Sequence, residues 1–197
     1  MSPEAGLAEL IEGASPKDVI IQARESLWLI GGGRSLAGLK RSLARQDFGA
    51  ERAISKPLAP IELALGLDFV IMDFAPSWDS LSIAGLFYAQ EVLAPVSLEA
   101  LSLKGLMEFA SRLRDIQEYH TLALRYVLPT FLDGRVRKSE ELLAQLRDYA
   151  GEALCHPIRY NVKLSEAPAF GQTIFEYAPS SQGALDYRKL VERILSS

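Results

Sequence analysis

Cysteine is almost absent from this sequence, which holds one, Cys155, among 197 residues. A single thiol cannot form a disulfide within the chain, and it cannot ligate an iron–sulfur cluster alone. Its neighbour His156 makes a Cys-His pair, but two ligands do not complete a zinc site. The sequence therefore excludes a disulfide-stabilised scaffold, and Cys155 is predicted to be a core thiol.

A phosphate-binding loop is also missing. Such a loop needs glycine followed by lysine and Ser/Thr, so that backbone N–H groups and an ammonium surround the phosphates. None of the seven lysines follows a glycine. The triplet Gly31–Gly33 is followed by Arg34-Ser35 and lacks both the lysine and the spacing. It therefore predicts a turn between a strand and a helix.

A large excess of positive charge is absent too, since the formal net charge is −4. A protein that coats nucleic acid is usually basic, so any DNA contact must come from a local basic patch. The sequence also shows no signal peptide and no apolar run of transmembrane length. We therefore expect a cytoplasmic protein without membrane contact, which would associate with the nucleoid if it binds DNA.

Short apolar strands alternate with amphipathic helices, which is typical of an α/β fold with a mostly parallel sheet and helices on both faces. Strands are predicted at residues 26–30, 67–73, 91–96, 122–129 and, more weakly, 153–157. Helices are predicted at residues 4–12, 36–46, 58–65, 80–89, 103–118, 139–150 and 183–195. Residues 1–25 are predicted to be a loosely attached N-terminal segment, and residues 26–197 to be one α/β domain.

The most informative stretch is residues 67–77, an apolar run that ends in Asp73 and continues into a proline turn. Its length and β-branched residues favour a strand buried on both faces. A carboxylate at the carboxyl end of such a strand lies where open α/β sheets bind their ligands. In phosphate-handling proteins it holds Mg²⁺ directly or through water. Equally, Asp73 can simply cap a turn before the next helix.

A longer motif lies near the carboxyl terminus. Residues 157–174 read P-I-R-Y-N-V-K-L-S-E-A-P-A-F-G-Q-T-I, and residues 177–184 read Y-A-P-S-S-Q-G-A. This resembles the signature P-R-N-V-R-L-S-E-A-P-S-x-G-x-x-I … Y-x-P-x-S-x-G-A of the ParA/Soj chromosome- and plasmid-partition ATPases. Residues 132–135 (L-D-G-R) resemble that family's L-D-x-R, and residues 73–77 (D-F-A-P-S) its D-x-P-P-S. By these motifs the chain is identified as a member of the family, within the CobQ-CobB-MinD-ParA class.

The resemblance implies a ParA-like P-loop NTPase fold that lacks its first strand–P-loop–helix unit. Family members open with a strand, a Walker A loop of the type K-G-G-V-G-K-T-T and a helix, none of which is present in these residues. The strand of that unit would lie beside residues 67–73, so its absence is expected to leave a slot in the sheet open or narrowed. It would also leave the lone monomer poorly soluble.

The resemblance also implies ATP and Mg²⁺ as the family's cofactors and gives residues to the site. Asp73 would act at the Mg²⁺-bound water, with Pro76 and Ser77 in the adjoining switch turn. Three residues would surround the adenine: Thr130, Pro157 and Arg159. Because the Walker A loop supplies most of the phosphate recognition, the chain alone is predicted to hold no cofactor and to hydrolyse no ATP.

Positive charge concentrates at residues 135–138 and 159–163. In the family, the arginine of L-D-x-R and the second arginine of the signature contribute to nonspecific DNA binding by the dimer. They correspond to Arg135 and Lys163, although lysine keeps the charge without the bidentate geometry. The alternative for both residues is an ordinary solvated helix start.

Two functions compete for this chain. In the first it is a partitioning protein that acts in DNA segregation through nonspecific DNA, a ParB-like or ParA-like partner, and a homodimer. In the second it is a catalytically inactive interaction module. A third reading, a MinD-like regulator with a membrane-binding tail, conflicts with the mixed charges of the last helix, which is predicted to dock on the sheet.

Overall fold

The computed structural model describes residues 5–33, 35–75, 77–98 and 102–197, except for the side chain of Ser102. The chain divides into two compact units, residues 1–90 and 91–197. The division thus falls far beyond residue 25, where the sequence predicts a boundary. Pro76, one of the predicted site residues, lies outside the described residues.

The first unit is mainly helical. Its β1 and β2 form an antiparallel hairpin in which Ile21 pairs with Leu29. Ser26 turns the hairpin with a positive φ of 56°. The elements of the unit are α1 (Leu7–Ile11), α2 (Pro16–Val19), β1 (Ile20–Arg24), β2 (Leu27–Ile30), α3 (Leu36–Leu43), α4 (Ser55–Leu65) and α5 (Ser80–Tyr88).

The described part of the N-terminal segment belongs to the core of this unit. Ala8 and Val19 are fully buried, and both lie in the same apolar cluster as Leu39 and Ile54. The backbone N–H of Leu7 also donates to the carbonyl of Gly31 at 2.7 Å. This packing differs from the loose attachment that glycines and prolines before residue 26 suggest.

Residues 67–73 do not form the predicted strand. No strand is assigned between α4 and α5 among the described residues. Ile71 is 92% exposed and Phe69 57% exposed, so the prediction of a strand buried on both faces is wrong. The physical reason is the lack of a neighbour: the sheets of the described residues are the β1–β2 hairpin and the β3–β4 pair of the second unit.

The second unit is built on a parallel pair of strands. β3 and β4 pair with Ala94 opposite Val127, and a bulge interrupts the register between Val92 and Leu93. A helix connects them, as parallel strands require. The elements are β3 (Glu91–Ser97), α6 (Ser102–Gln117), β4 (Ala123–Thr130), α7 (Arg137–Ala150), α8 (Val162–Glu166), α9 (Ile174–Tyr177) and α10 (Gln182–Leu195).

Helices cover both faces of β4, because successive side chains of a strand point to opposite sides. Val127 packs in a cluster with Leu106 of α6 and Leu146 of α7. Leu128 packs in another cluster with Leu190 of α10. The predicted α/β class is therefore confirmed, and α10 docks on the sheet as its amphipathic pattern predicts.

A third backbone segment runs beside β4 where the sequence weakly predicts a strand at 153–157. The N–H of Cys155 donates to the carbonyl of Val127 at 2.8 Å, and that of Ile158 to Pro129 at 2.8 Å. The pairing amounts to isolated parallel bridges instead of a full strand. No helix among the described residues is long and apolar enough to cross a membrane.

Candidate functional site

The carboxyl end of β4 is where the structure brings predicted site residues together. Thr130 ends the strand, and the chain then turns at Phe131, whose φ is 56°. The N–H of Leu132 donates to the carbonyl of Ile158 at 3.1 Å, and the N–H of Tyr160 donates to the carbonyl of Leu132 at 2.9 Å. Thr130 and the loop of residues 157–160 therefore form one edge, of the kind where open α/β sheets place ligands.

Arg159 forms an ion pair with the buried carboxylate of Asp186. The side chain of Asp186 on α10 is fully buried. Its Oδ2 accepts from the backbone N of Arg159 at 3.1 Å and from Nε at 2.9 Å, and Nη2 donates to Oδ1. His156 Nε2 lies 3.5 Å from the same carboxylate. Arg159 therefore fixes its loop to α10, and its guanidinium is hydrogen-bonded to Asp186 although the side chain is 40% exposed.

The charge of Asp186 follows from these contacts. Burial by itself would raise the pKa of Asp186, but the hydrogen bonds and the positive charge of Arg159 outweigh it and hold that pKa below its usual range. A buried charge is tolerated only with such pairing. Sequence reasoning missed Asp186, although a carboxylate two residues after the buried Ala184 of an amphipathic helix was a usable signal.

Arg135 forms an ion pair with Asp133, two residues before it in the sequence. Its Nη2 lies 2.7 Å from Asp133 Oδ2, its Nε donates to Asp133 Oδ1 at 2.9 Å, and its backbone N donates to the same oxygen at 3.0 Å. These hydrogen bonds lower the pKa of Asp133 to about 2. The Arg135 side chain is still 84% exposed, so solvent and ligands can reach the guanidinium.

Lys163 is paired in a similar way. Its Nζ lies 2.8 Å from Glu166 Oε2 and 5.5 Å from the centre of the Tyr177 ring. The Tyr177 hydroxyl donates to the same Oε2 at 2.9 Å. The hydrogen bond to Glu166 raises the pKa of Lys163. Each of the two predicted DNA-binding cations therefore already has a carboxylate partner on the surface.

In the first unit, Ser77 hydrogen-bonds to Asp79, the N-cap residue of α5. Its Oγ donates to Asp79 Oδ2 at 2.9 Å, while Asp79 Oδ1 accepts from the N–H groups of Leu81 and Ser82 at the start of α5. Lys40 Nζ lies 2.7 Å from Asp79 Oδ2. Burial would raise the pKa of Asp79, but these donors outweigh it and hold that pKa well below its usual range.

Asp73, by contrast, lies in the exposed run after α4. The carboxylate with organised partners near the proline turn is Asp79, which sequence reasoning passed over. The signal was a carboxylate directly before a helix start, the position of an N-cap. Among the described residues, no group of three or more Asp, Glu, His or Cys side chains is arranged to hold a metal ion.

The glycine triplet Gly31–Gly33 caps α1. The carbonyls of Gly31 and Gly32 accept from the N–H groups of Leu7 and Ala8 at 2.7 and 3.3 Å. The Glu9 carboxylate lies against Gly33 so closely that a Cβ there would meet Oε2 at 2.2 Å. This region thus has carbonyls and a carboxylate where a phosphate loop presents N–H groups, and it forms the predicted turn between a strand, β2, and a helix, α3.

The fold has solved counterparts. Cobyrinic acid a,c-diamide synthase from Mycobacterium smegmatis, with bound ATP analog and magnesium, superposes with a TM-score of 0.78 at 26% identity over 98% of this chain and 72% of its own. Apo McdA from Cyanothece superposes with a TM-score of 0.80 at 20% identity over 96% of this chain and 79% of its own. The fold is that of the ParA/MinD class of P-loop NTPases.

Sequence comparison shows which protein family the chain belongs to. A family profile described as an AAA domain matches residues 4–126. Chromosome-partitioning ATPase Soj of Thermus thermophilus is 32% identical over 196 residues, which are 98% of this chain and 75% of the relative. The chain belongs to the ParA/Soj family of partition proteins, as its signature predicts. It spans about half the length of several further relatives, 52% and 53% in two of them.

Proposed function

We propose that this chain acts in DNA segregation by contacting duplex DNA without sequence preference, through the edge that carries Arg135 and Lys163. The observation that supports this proposal most is the exposure of two cations, with side chains 84% and 50% accessible. Arg135 lies in the turn between β4 and α7, and Lys163 lies in α8. By the motif resemblance both correspond to family positions for DNA contact, and two relatives are chromosome-partitioning proteins by name.

The ion pairs set the strength of this binding. Exposed pairs contribute little to stability, so a phosphate can replace Asp133 or Glu166 as the partner of the cation at small cost. The released carboxylates then remain close to the phosphates and repel them. In a chain of net charge −4, this predicts weak, strongly salt-dependent binding that gains from two copies acting together.

The residues present do not fit ATP and Mg²⁺. The sequence contains no glycine-lysine-Ser/Thr, the Gly31–Gly33 turn directs carbonyls toward α1, and Arg159 is engaged by Asp186. Thr130 and Pro157, which the resemblance places beside the adenine, carry no positive charge and cannot neutralise a triphosphate. No nucleotide-dependent step is therefore assigned to these residues.

One observation favours a second candidate function, an interaction module for a ParA-like or ParB-like protein. The exposed apolar residues after α4, with Ile71 at 92% and Phe69 at 57%, are unusual for a monomer surface, where contiguous apolar patches mark protein contacts. This candidate needs no DNA binding, so the two functions separate by experiment.

The DNA proposal is tested with Arg135→Glu combined with Lys163→Glu. We expect anisotropy of a labelled duplex at low salt to show weak binding by the wild type and its loss in the double variant.

A matched control is Arg52→Glu combined with Lys104→Glu. These cations are 84% and 79% exposed and also have carboxylate partners, Glu51 and Glu108. The control changes the net charge by the same amount, so it should retain most of the binding if the edge matters. Equal DNA affinity of the Arg135/Lys163 variant and the wild type would mean that both residues are ordinary solvated surface and do not contact DNA.

A further inference from the structure

One ring nitrogen of His156 lies between two oppositely charged groups of α10. Its Nε2 is 3.2 Å from Lys189 Nζ and 3.5 Å from Asp186 Oδ1. An ammonium group only donates hydrogen bonds, and an ionised carboxylate only accepts them. A ring nitrogen carries either a proton or a lone pair, so Nε2 can bond to only one of these two neighbours at a time.

Both neighbours are within reach because Asp186 and Lys189 are three residues apart on α10 and so share one face of that helix. Burial would raise the pKa of Asp186, but the hydrogen bonds and charge of Arg159 hold that pKa below its usual range, so the carboxylate is ionised near neutral pH. Histidine is the side chain whose charge ordinarily changes between about pH 5 and 8. The His156 side chain is 42% exposed, and protons therefore reach it from solvent.

The other titratable groups packed around this loop are either engaged elsewhere or neutral. Arg193 of α10 donates to two backbone carbonyls that precede Cys155. Burial raises the pKa of the Cys155 thiol, which keeps it uncharged. Tyr126 of β4 shares a hydrogen bond of 2.6 Å with Ser197. Among the described residues, the competition for Nε2 of His156 is therefore between the two α10 side chains.

We propose that His156 is a pH-sensitive switch that changes how the loop of residues 155–160 is attached to α10. When the ring is neutral, Nε2 accepts a hydrogen bond from the Lys189 ammonium. When the ring takes a proton from solvent, Nε2–H donates to Asp186 Oδ1, and the imidazolium repels Lys189, which turns away into solvent. A carboxylate oxygen has two lone pairs, so Oδ1 accepts from His156 while it keeps its bond from Arg159.

The two forms differ in charge as well as in contacts. Acid gathers Arg159 and His156 on one buried carboxylate and releases the Lys189 ammonium, so the surface beside the loop gains one positive charge. The loop stays attached to α10 in both forms, through a lysine in one and through a carboxylate in the other. The switch needs neither DNA nor nucleotide, so it goes beyond the proposed function and is tested without either.

The tautomer of neutral His156 tests the switch, and nitrogen-15 NMR of the ring reads it in the full chain above about pH 8. The chain has two histidines, so His120→Gln assigns the signals. We expect neutral His156 to hold its proton on Nδ1, because Nε2 accepts from Lys189. Lys189→Met removes that donor and should move the proton to Nε2, where it faces Asp186. A wild-type ring with its proton on Nε2, or a tautomer that Lys189→Met leaves unchanged, would overturn the proposal.

A double-mutant cycle gives an independent readout. The free energy of unfolding is measured for the wild type, His156→Phe, Lys189→Met and the double variant at about pH 8 and about pH 5.5, on either side of the range in which histidine titrates. The coupling between the two residues should favour folding at the higher pH and vanish or change sign at the lower pH, where imidazolium and ammonium repel each other.

The matched control for this cycle is the exposed pair of Arg137 and Glu141, 3.0 Å apart on α7. Arginine and glutamate ordinarily keep their charges between these two pH values, so the coupling of this pair should be the same at both. A coupling between His156 and Lys189 that is likewise the same at both pH values contradicts the switch.

Discussion

Phosphate release from ATP by the purified chain is expected to stay at the level of its Asp73→Ala variant. The reason is chemical. Phosphoryl transfer depends on backbone N–H groups, a lysine and Mg²⁺ that neutralise the charge spread over the transferred group. The sequence offers no such loop, and the Gly31–Gly33 turn is closed by α1 and Glu9. The expected effect is therefore complete absence of hydrolysis.

The measurement is steady-state phosphate release with and without Mg²⁺, beside equilibrium binding of a fluorescent ATP analogue. Because Asp73 is the one carboxylate that the family motif links to the Mg²⁺-bound water, Asp73→Ala sets the background from contaminating enzymes. Mg²⁺-dependent release by the wild type above that background would mean that another group in this chain binds the phosphates.

Replacing Asp186 is expected to destabilise the second unit strongly. Asp186→Ala leaves the Arg159 guanidinium and its backbone N–H without their acceptor. Breaking a buried ion pair from one side costs about 3–5 kcal/mol. Arg159 is 40% exposed and water can partly replace the carboxylate, so we expect about 2–3 kcal/mol. That is a large share of a typical unfolding free energy of about 5–15 kcal/mol.

The measurement is denaturant unfolding followed by far-ultraviolet circular dichroism. Asp186→Asn keeps one acceptor oxygen and should lose less than Asp186→Ala. The matched control is Glu141→Ala, which breaks the exposed pair with Arg137 at 3.0 Å and should cost less than about 1 kcal/mol. Equal losses for Asp186→Ala and Glu141→Ala would show that the buried pair does not hold the loop to α10.

Acid should remove the same stabilisation. The pKa of Asp186 is lowered in the folded protein from an ordinary value of 3.8, so folding favours the charged form. Its contribution is therefore fully present above pH 3.8 and is lost as the pH falls through the lower folded value. Through the titration of Asp186 itself, the difference in unfolding free energy between the wild type and Asp186→Ala should be constant from neutral pH down to pH 3.8 and shrink below pH 3.8.

Most of the second unit could be predicted from the sequence, because its elements carry their own signals. The apolar runs of β3 and β4 and the 3.6-residue stripes of α6, α7 and α10 specify where each element lies. The run at 67–73 carries an equally clear strand signal, yet no strand forms in the described structure. Hydrogen-bonded pairing is a property of two segments, and sequence pattern reports only one of them.

The candidate site was predictable in position but not in its internal contacts. Motif spacing located Thr130, the loop with Arg159, and the cations Arg135 and Lys163. It could not show that Asp133 and Glu166 pair with those cations, since carboxylates two or three residues away can equally point to solvent. The contact of Arg159 with Asp186 joins residues 27 positions apart, a separation that local pattern does not encode.

Because the chain divides at residue 90, its tryptophans and its single cysteine lie in different units. Both tryptophans, Trp28 and Trp78, fall in the first unit, whereas the single thiol falls in the second. Cys155 is 2% exposed, and burial raises its pKa, so alkylating reagents must wait for that unit to open. Tryptophan fluorescence therefore follows the opening of the first unit of the unmodified chain, and labelling of Cys155 follows the opening of the second.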